Sequence, residues 1–215
     1  MKRYLIPAQE TRSEFKVLNS RFIATVAPAF SVDEAKAFVA RIKSEFSDAS
    51  HNVPAYIIGH GNSVIAHSHD DGEPSGTAGR PALAVLTGSG LGDVAVGVTR
   101  YFGGTKLGTG GLVRAYGDAV RQVLEILPRA AKVPTYTVLL EVPYPFFERV
   151  RLLVEAHRGQ ILDEDFGAEV MVAARFTVED FPAFQDALRE LSNGTLQAEI
   201  VETNEATIMP IGEGD

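Results

Sequence analysis

The sequence predicts an α+β protein of two domains, in which short strands and helices alternate. Three observations support this class. Apolar residues recur with both strand and helix spacing. Pro128 and Pro134 separate two regions of different pattern. The 215 residues, 45% of them hydrophobic, are enough for two cores. We therefore expect one domain over residues 1–132, a second over 133–203, and an acidic tail over 204–215.

The first domain is predicted to contain five strands and three helices. Alternating apolar residues predict the strands. Ser31 and Glu34 have the spacing of a capping box at the start of the first helix, and Pro81 fits the opening turn of the second. The predicted strands span 12–18, 21–27, 54–59, 64–69 and 94–100, and the predicted helices span 32–46, 81–86 and 112–127.

The second domain has the predicted order strand, helix, strand, strand, helix, strand. This is the split β-α-β order of a ferredoxin-like domain, with both helices on one face of an antiparallel sheet. The elements are expected at residues 133–142, 145–158, 161–166, 169–178, 180–191 and 196–202.

Composition excludes several classes of chemistry. The chain has no cysteine, which rules out disulfides, thiol nucleophiles and thiolate metal sites. No apolar run has membrane-spanning length, and the first residues lack the apolar core of a signal peptide. We expect a cytoplasmic protein that does not bind membranes.

The charge of −8 is unevenly distributed along the chain. Residues 1–71 are neutral, residues 72–132 carry +3, and residues 133–215 carry −11. Because attraction to a polyanion depends on local potential, the middle segment is the expected surface for anions.

Two glycine-rich segments, residues 70–81 and 100–111, lie in this region, and each precedes a helix. In the second, backbone amides near a helix start can bind an anion. The alternative is a tight structural loop, in which Asp118 would pair with the cation four residues before it. The predicted anion, nucleic-acid or partner site comprises Arg100, Gly103, Gly104, Lys106, Gly108, Gly110, Gly111 and Arg114.

The first segment contains a possible acidic site at Asp70, Asp71 and Glu73. These carboxylates could serve a hydrolytic enzyme, although three acids in one loop do not fix a catalytic separation. His67 and His69 precede them and give a weak metal pattern, for which a solvated turn is the preferred interpretation. We predict no metal site.

Other chemical motifs are weaker. Val113 stands where a dinucleotide fingerprint needs its third glycine, and no Gly-Lys-Ser/Thr ending forms a P-loop, so no cofactor is predicted. His51 with Asn52 is interpreted as a buried hydrogen-bonding pair rather than a general base. Tyr101 and Phe102 could stack on RNA bases, but a strand-end aromatic pair favours a core position.

Long motifs resemble the Impact family. The residues that carry the resemblance are His51-Asn52, the stretch from Asp70 to Gly79, the stretch from Val98 to Gly104, and the stretch from Lys106 to Tyr116. The resemblance implies a first domain like the second domain of ribosomal protein S5 and a second like the carboxyl-terminal domains of elongation factor EF-G. It supplies no agreed catalytic residues.

The resemblance also implies a role in translation control, since the eukaryotic member competes for the ribosome-bound activator of the amino-acid starvation kinase. We expect a regulatory or RNA- and ribosome-binding module, with a protein partner in translation control as a further expectation. The alternatives are a phosphate- or nucleotide-directed enzyme and a protein–protein adaptor. The sequence does not assign a reaction.

Overall fold

The structure is a computed structural model that describes residues 3–61 and 63–210. It contains two compact units, one holding residues 4–131 and the other residues 132–209. Antiparallel sheets and five helices make up the described chain, which confirms the α+β class with two domains. Among the described residues, no helix is long and apolar enough to cross a membrane.

The first unit is built on a sheet with strand order β2-β3-β6-β4-β5, in which all neighbouring strands are antiparallel. Ser31 starts the first helix as predicted, because its Oγ accepts from the amide of Glu34 at 3.1 Å. The elements are β1 (Tyr4–Pro7), β2 (Thr11–Val17), β3 (Ser20–Pro28), α1 (Val32–Glu45), β4 (His51–Ile58), β5 (Ile65–Ser68), α2 (Gly79–Gly88), β6 (Val94–Tyr101) and α3 (Gly108–Glu125).

Helices cover both faces of this sheet. In β6, Val96 and Val98 pack in the core with α2 and α3, whereas Ala95 packs in the smaller core with α1. Side chains alternate between the two faces of a strand. Arg100 has the parity of Val96 and Val98, so the sequence directs its side chain towards the α2 and α3 face.

Besides shifts of up to three residues at the ends of other elements, such as the start of β4 at His51, two features of the first unit differ from the sequence prediction. The strand β1 was not predicted; its Ile6 packs against Ala130, and the hydroxyl of Tyr4 donates to Asp93. Helix α3 begins at Gly108, four residues before the predicted start. Glycine disfavours a helix locally, but the buried residues that follow fix the first turn by tertiary packing.

The second unit has the predicted order of elements. Its sheet order is β10-β7-β9-β8, and both helices contribute to one core with the inward side chains of the sheet. The elements are β7 (Arg129–Val142, of which residues 132–142 belong to this unit), α4 (Tyr144–Ala156), β8 (Gln160–Phe166), β9 (Val170–Thr177), α5 (Phe181–Leu191) and β10 (Glu199–Pro210).

The end predicted for the last strand, residue 202, is wrong. Strand β10 continues to Pro210, so residues 204–210 of the predicted tail are strand. The reason is pairing with β7, where the hydroxyls of Thr135 and Thr207 lie 2.6 Å apart. The rest of the predicted tail, residues 211–215, lies outside the described residues.

Candidate functional site

The two glycine-rich segments meet at a buried ion pair. Nη1 of Arg100, at the end of β6, donates to Oε1 of Glu73, in the first segment, across 2.6 Å. The hydroxyl of Tyr116, in α3, donates to the same oxygen at 2.8 Å. Three separate parts of the first unit are thus joined at one carboxylate.

Arg100 is enclosed by further neighbours. Its Nη2 donates to Oγ of Ser20 at 3.3 Å, and its Cζ lies 5.5 Å from the ring centroids of both Phe22 and Phe102. The residue is only 4% exposed. The predicted role of Arg100 as a direct phosphate contact therefore needs correction, since its charge is buried and engaged by Glu73.

His51 lies at the more accessible edge of this cluster. Its Nε2 is 3.7 Å from Oε1 of Glu73, and its Nδ1 is 2.8 Å from the carbonyl oxygen of Asp71. The side chain is 22% exposed, so it is less buried than Glu73. Asn52, by contrast, is buried between Phe46 and Thr99 and bonds to both.

Burial and the neighbouring carboxylate of Glu73 raise the pKa of Tyr116 far above its ordinary value. The hydroxyl therefore remains a proton donor to Glu73. Neither Tyr116 nor Ser20 is among the site residues predicted from the sequence. A hydroxyl on an otherwise apolar helix face was the available signal for Tyr116, because buried hydroxyls need a partner.

Asp70 stabilises the start of α2. Its carboxylate accepts from the backbone amides of Gly76 at 2.7 Å, Gly79 at 2.8 Å and Ala78 at 3.1 Å. Burial acts to raise the pKa of Asp70, but these three hydrogen bonds outweigh it and lower the pKa below its ordinary value. Asp70 thus has a structural role in the loop.

Asp71 has a different set of partners. Its carboxylate accepts from Nζ of Lys43 at 2.5 Å and from the amide of Asn52 at 2.7 Å. Burial opposes these bonds, yet they lower the pKa of Asp71. Each of the three predicted acids therefore has its own structural partners, and the contacts join none of them to another carboxylate.

The histidines near the first segment are also engaged. The ring of His67 lies 5.2 Å from that of Tyr56, and Nδ1 of His69 accepts from the amide of Asp71 at 2.9 Å. No group of three or more His, Asp or Glu residues in the described chain is arranged to hold a metal ion.

Gly103 is required by close packing in the second segment. A Cβ atom at Gly103 would lie 2.1 Å from the carbonyl carbon of Asn19. Gly104 and Gly108 have positive φ values of 83° and 72°, which favour glycine. A Cβ at Gly111 would lie 2.9 Å from the side chain of Leu107. The fold therefore accounts for these four glycines.

Two exposed cations lie within and just after this segment. Lys106 and Arg114 are both exposed, and neither forms an ion pair with any residue that the structure describes. Arg114 instead donates weakly to the carbonyl of Gly110 at 3.4 Å, because Asp118 pairs with Arg121. A Cβ at Gly110 would meet no atom within 4 Å, so packing within the protein does not require this glycine.

The aromatic pair at the end of β6 is not buried as favoured from the sequence. Phe102 is 48% exposed, and its amide donates to Oγ of Ser50 at 3.0 Å. Tyr101 is partly buried and donates to Asp48 at 2.7 Å. The strand ends here, and Phe102 therefore lies beyond the layer that covers β6.

Comparisons with known proteins match both units. Residues 18–124 match the Impact N-terminal domain, and residues 140–195 match a domain of unknown function, DUF1949. The match is thus to a two-domain class of protein that carries an Impact N-terminal domain.

Individual relatives cover almost the whole chain. IMPACT family member YigZ of Escherichia coli (strain K12) is 37% identical over 203 residues, which is 94% of this chain and 100% of YigZ. IMPACT family member YvyE of Bacillus subtilis (strain 168) is 37% identical over 89% of this chain and 88% of YvyE. A crystal structure described as that of a hypothetical protein has a TM-score of 0.62 at 37% identity, covering 94% of this chain and 98% of the other. The chain belongs to the IMPACT family.

Proposed function

We propose that the protein is a translation-associated regulatory module that binds ribosomal or other RNA through phosphate contacts and acts without catalysis. The contacts are made by Lys106, Gly110 and Arg114, which we call the basic loop surface. The observation that carries the proposal is the presence of two exposed cations without ion-pair partners among the described residues, placed on either side of the start of α3.

The geometry of α3 supports phosphate binding at this surface. The first backbone amides of a helix have no partner within the helix, and the helix dipole favours negative charge there. Lys106, before the helix, and Arg114, in its second turn, add full positive charges along the chain on either side of these amides. Gly110, which packing does not require, lets a phosphate approach the backbone closely.

The structural use of the acidic residues supports a non-catalytic function. The carboxylates of Asp70 and Asp71 accept backbone hydrogen bonds, and Glu73 is buried against Arg100. The residues from 133 onwards carry −11 and repel phosphates, so the second unit does not contribute to the RNA contact. Ribosome association also implies a cytoplasmic location.

The test removes both cations, as Lys106→Ala with Arg114→Ala, and measures ribosome cosedimentation and the binding of labelled single-stranded RNA against salt concentration. We expect weaker binding and a salt slope reduced by about one to two units, because two phosphate contacts are lost. The control, Arg149→Ala with Arg151→Ala, removes the same charge from exposed positions in α4.

Equal losses in the two double variants would contradict the proposal, because general charge would then explain the effect. Ribosome association that resists RNase and salt would instead indicate a protein–protein adaptor.

One observation favours a second candidate, a phosphate- or nucleotide-directed enzyme. His51 is partly exposed and lies 3.7 Å from Glu73, so the two could exchange a proton with a substrate at that edge. A screen of phosphoesters and nucleotides with the wild-type protein and His51→Asn tests this candidate. A reaction that His51→Asn abolishes would favour the enzyme, and the absence of turnover in the wild-type protein would exclude these substrates.

A further inference from the structure

We propose that Phe102 is a stacking platform for a base of single-stranded RNA, next to the basic loop surface. The inference rests on the proposed function and adds a second kind of contact to it. Phe102 follows β6 directly and is 48% exposed. An exposed aromatic ring beside cations is the arrangement that recognises unstacked bases.

The guanidinium of Arg100 packs against the ring of Phe102. Cζ of Arg100 lies 5.5 Å from the centroid of Phe102, within the range of a cation–π contact. Nη1 and Nη2 of that guanidinium are in turn fixed by Glu73 at 2.6 Å and Ser20 at 3.3 Å. The amide of Phe102 is fixed separately by Ser50. Both the backbone and the ring therefore have defined supports.

The contact between Arg100 and Phe102 gives the buried Glu73–Arg100 ion pair a role in positioning an exposed side chain. An ion pair inside a protein gains little net stability, because both charges must leave water. A rigid partner under an exposed ring, however, reduces the entropy that the ring loses when a base stacks on it. The Glu73–Arg100 pair is thus a positioning element for Phe102.

The neighbouring residues leave room for a nucleotide. Gly103 and Gly104 follow Phe102 and have no side chains that could cover the ring. Lys106 is four residues from Phe102, so their Cα atoms are at most about 14 Å apart. A base on Phe102 and a phosphate within one or two nucleotides of it can therefore contact the protein together.

The experiment uses single-stranded RNA that contains the fluorescent base 2-aminopurine, whose emission falls when it stacks. The chain has no tryptophan, so protein emission interferes little. We expect the wild-type protein to quench the probe. Phe102→Leu should lose the quenching and bind the RNA about tenfold more weakly. Phe102→Tyr should keep both the quenching and the affinity of the wild type, because tyrosine retains the aromatic ring. The salt slope of Phe102→Leu stays that of the wild type, since no phosphate contact is removed.

The matched control is Phe166→Leu, which changes a 57% exposed phenylalanine in the second unit and should leave quenching intact. Quenching by Phe102→Leu equal to that of the wild type would overturn the stacking inference. If the Lys106 and Arg114 variants still weakened binding, the proposed function would survive that result. If Phe102→Leu lost the quenching but removal of Lys106 and Arg114 had no effect, the stacking inference would survive and the proposed phosphate contacts would be overturned. A wild-type protein that binds no RNA would overturn both. Thermal unfolding confirms that each variant is folded.

Discussion

Nη1 of Arg100 and Oε1 of Glu73 lie 2.6 Å apart, and neither side chain is more than 5% exposed. This pair connects the end of β6 to the loop before α2, two parts of the chain separated by 27 residues. Tyr116 adds α3 to the same carboxylate. The pair therefore fixes the relative positions of the two glycine-rich segments, and its loss should affect the whole first unit.

Replacing one partner of this pair should strongly destabilise the first unit. In Glu73→Gln the charge of Arg100 stays buried without its counter-charge, and we expect the free energy of unfolding to fall by about 3–5 kcal/mol. Urea unfolding followed by circular dichroism measures the change. Arg114→Ala, at an exposed position, should change the same quantity by no more than about 0.5 kcal/mol.

The double variant Glu73→Gln with Arg100→Met separates charge burial from packing. Removing both charges should recover part of the lost stability, so the two substitutions are not additive. Additive losses would show that Arg100 and Glu73 stabilise the unit independently.

Asp70 should make the stability of the first unit depend on pH in acid. Because the folded state lowers the pKa of Asp70, its contribution is present above the ordinary aspartate pKa of about 3.9 and is lost as pH falls through the lower folded value. Asp70→Asn should be less stable than the wild type at pH 7, by about 1–2 kcal/mol, since a charged acceptor is lost at the start of α2.

The difference between Asp70→Asn and the wild type should shrink as the pH falls from 4 to 2, because the wild-type carboxylate becomes neutral. Unfolding by urea at several pH values measures it. A difference that stays constant over this range would show that charge at Asp70 does not stabilise α2.

Local sequence patterns predicted most elements of this fold but few contacts of the site. The order of elements in the second unit follows from hydrophobic periodicity, which depends only on neighbouring residues. The interaction of Tyr116 with Glu73 spans 43 residues and depends on how α3 packs on the sheet. No local pattern shows that a tyrosine on an apolar helix face points its hydroxyl at a distant acid.

Charge and glycine content located the region of the site but not the roles within it. Arg100 and Arg114 look alike in the sequence, yet the alternation of β6 buries the first and the surface of α3 exposes the second. Gly103 and Gly110 also look alike in the sequence, although only Gly103 lies against the backbone of Asn19, in the turn between β2 and β3. These distinctions come from tertiary packing.

Alanine at these two glycines should have opposite effects on stability. In Gly103→Ala, the new Cβ would lie 2.1 Å from the carbonyl carbon of Asn19, so the turn between β2 and β3 must move. We expect a loss of at least about 2 kcal/mol in the free energy of unfolding. Gly110→Ala meets no atom within 4 Å and should stabilise α3 by up to about 1 kcal/mol.

Gly110→Ala also tests the basic loop surface. If a phosphate approaches the backbone there, the variant should bind RNA more weakly despite its greater stability. Unchanged RNA binding in a stabilised Gly110→Ala protein would show that the phosphate does not approach this residue.

Tyr116 should link the stability of the first unit to alkaline pH. Its hydroxyl is buried, donates to Glu73 and has a raised pKa in the folded state. Its contribution is therefore complete below the ordinary tyrosine pKa of about 10, and it declines as pH rises above that value because the unfolded state ionises first. At pH 8, Tyr116→Phe should be less stable than the wild type by about 1–3 kcal/mol, since a buried carboxylate loses a donor. At pH 11 the difference should be smaller, as urea unfolding at the two pH values would measure.

Tyr56→Phe, on the α1 face of the same sheet, is the matched control. If both substitutions gave the same pH dependence, the effect would belong to buried tyrosines in general and not to the bond between Tyr116 and Glu73.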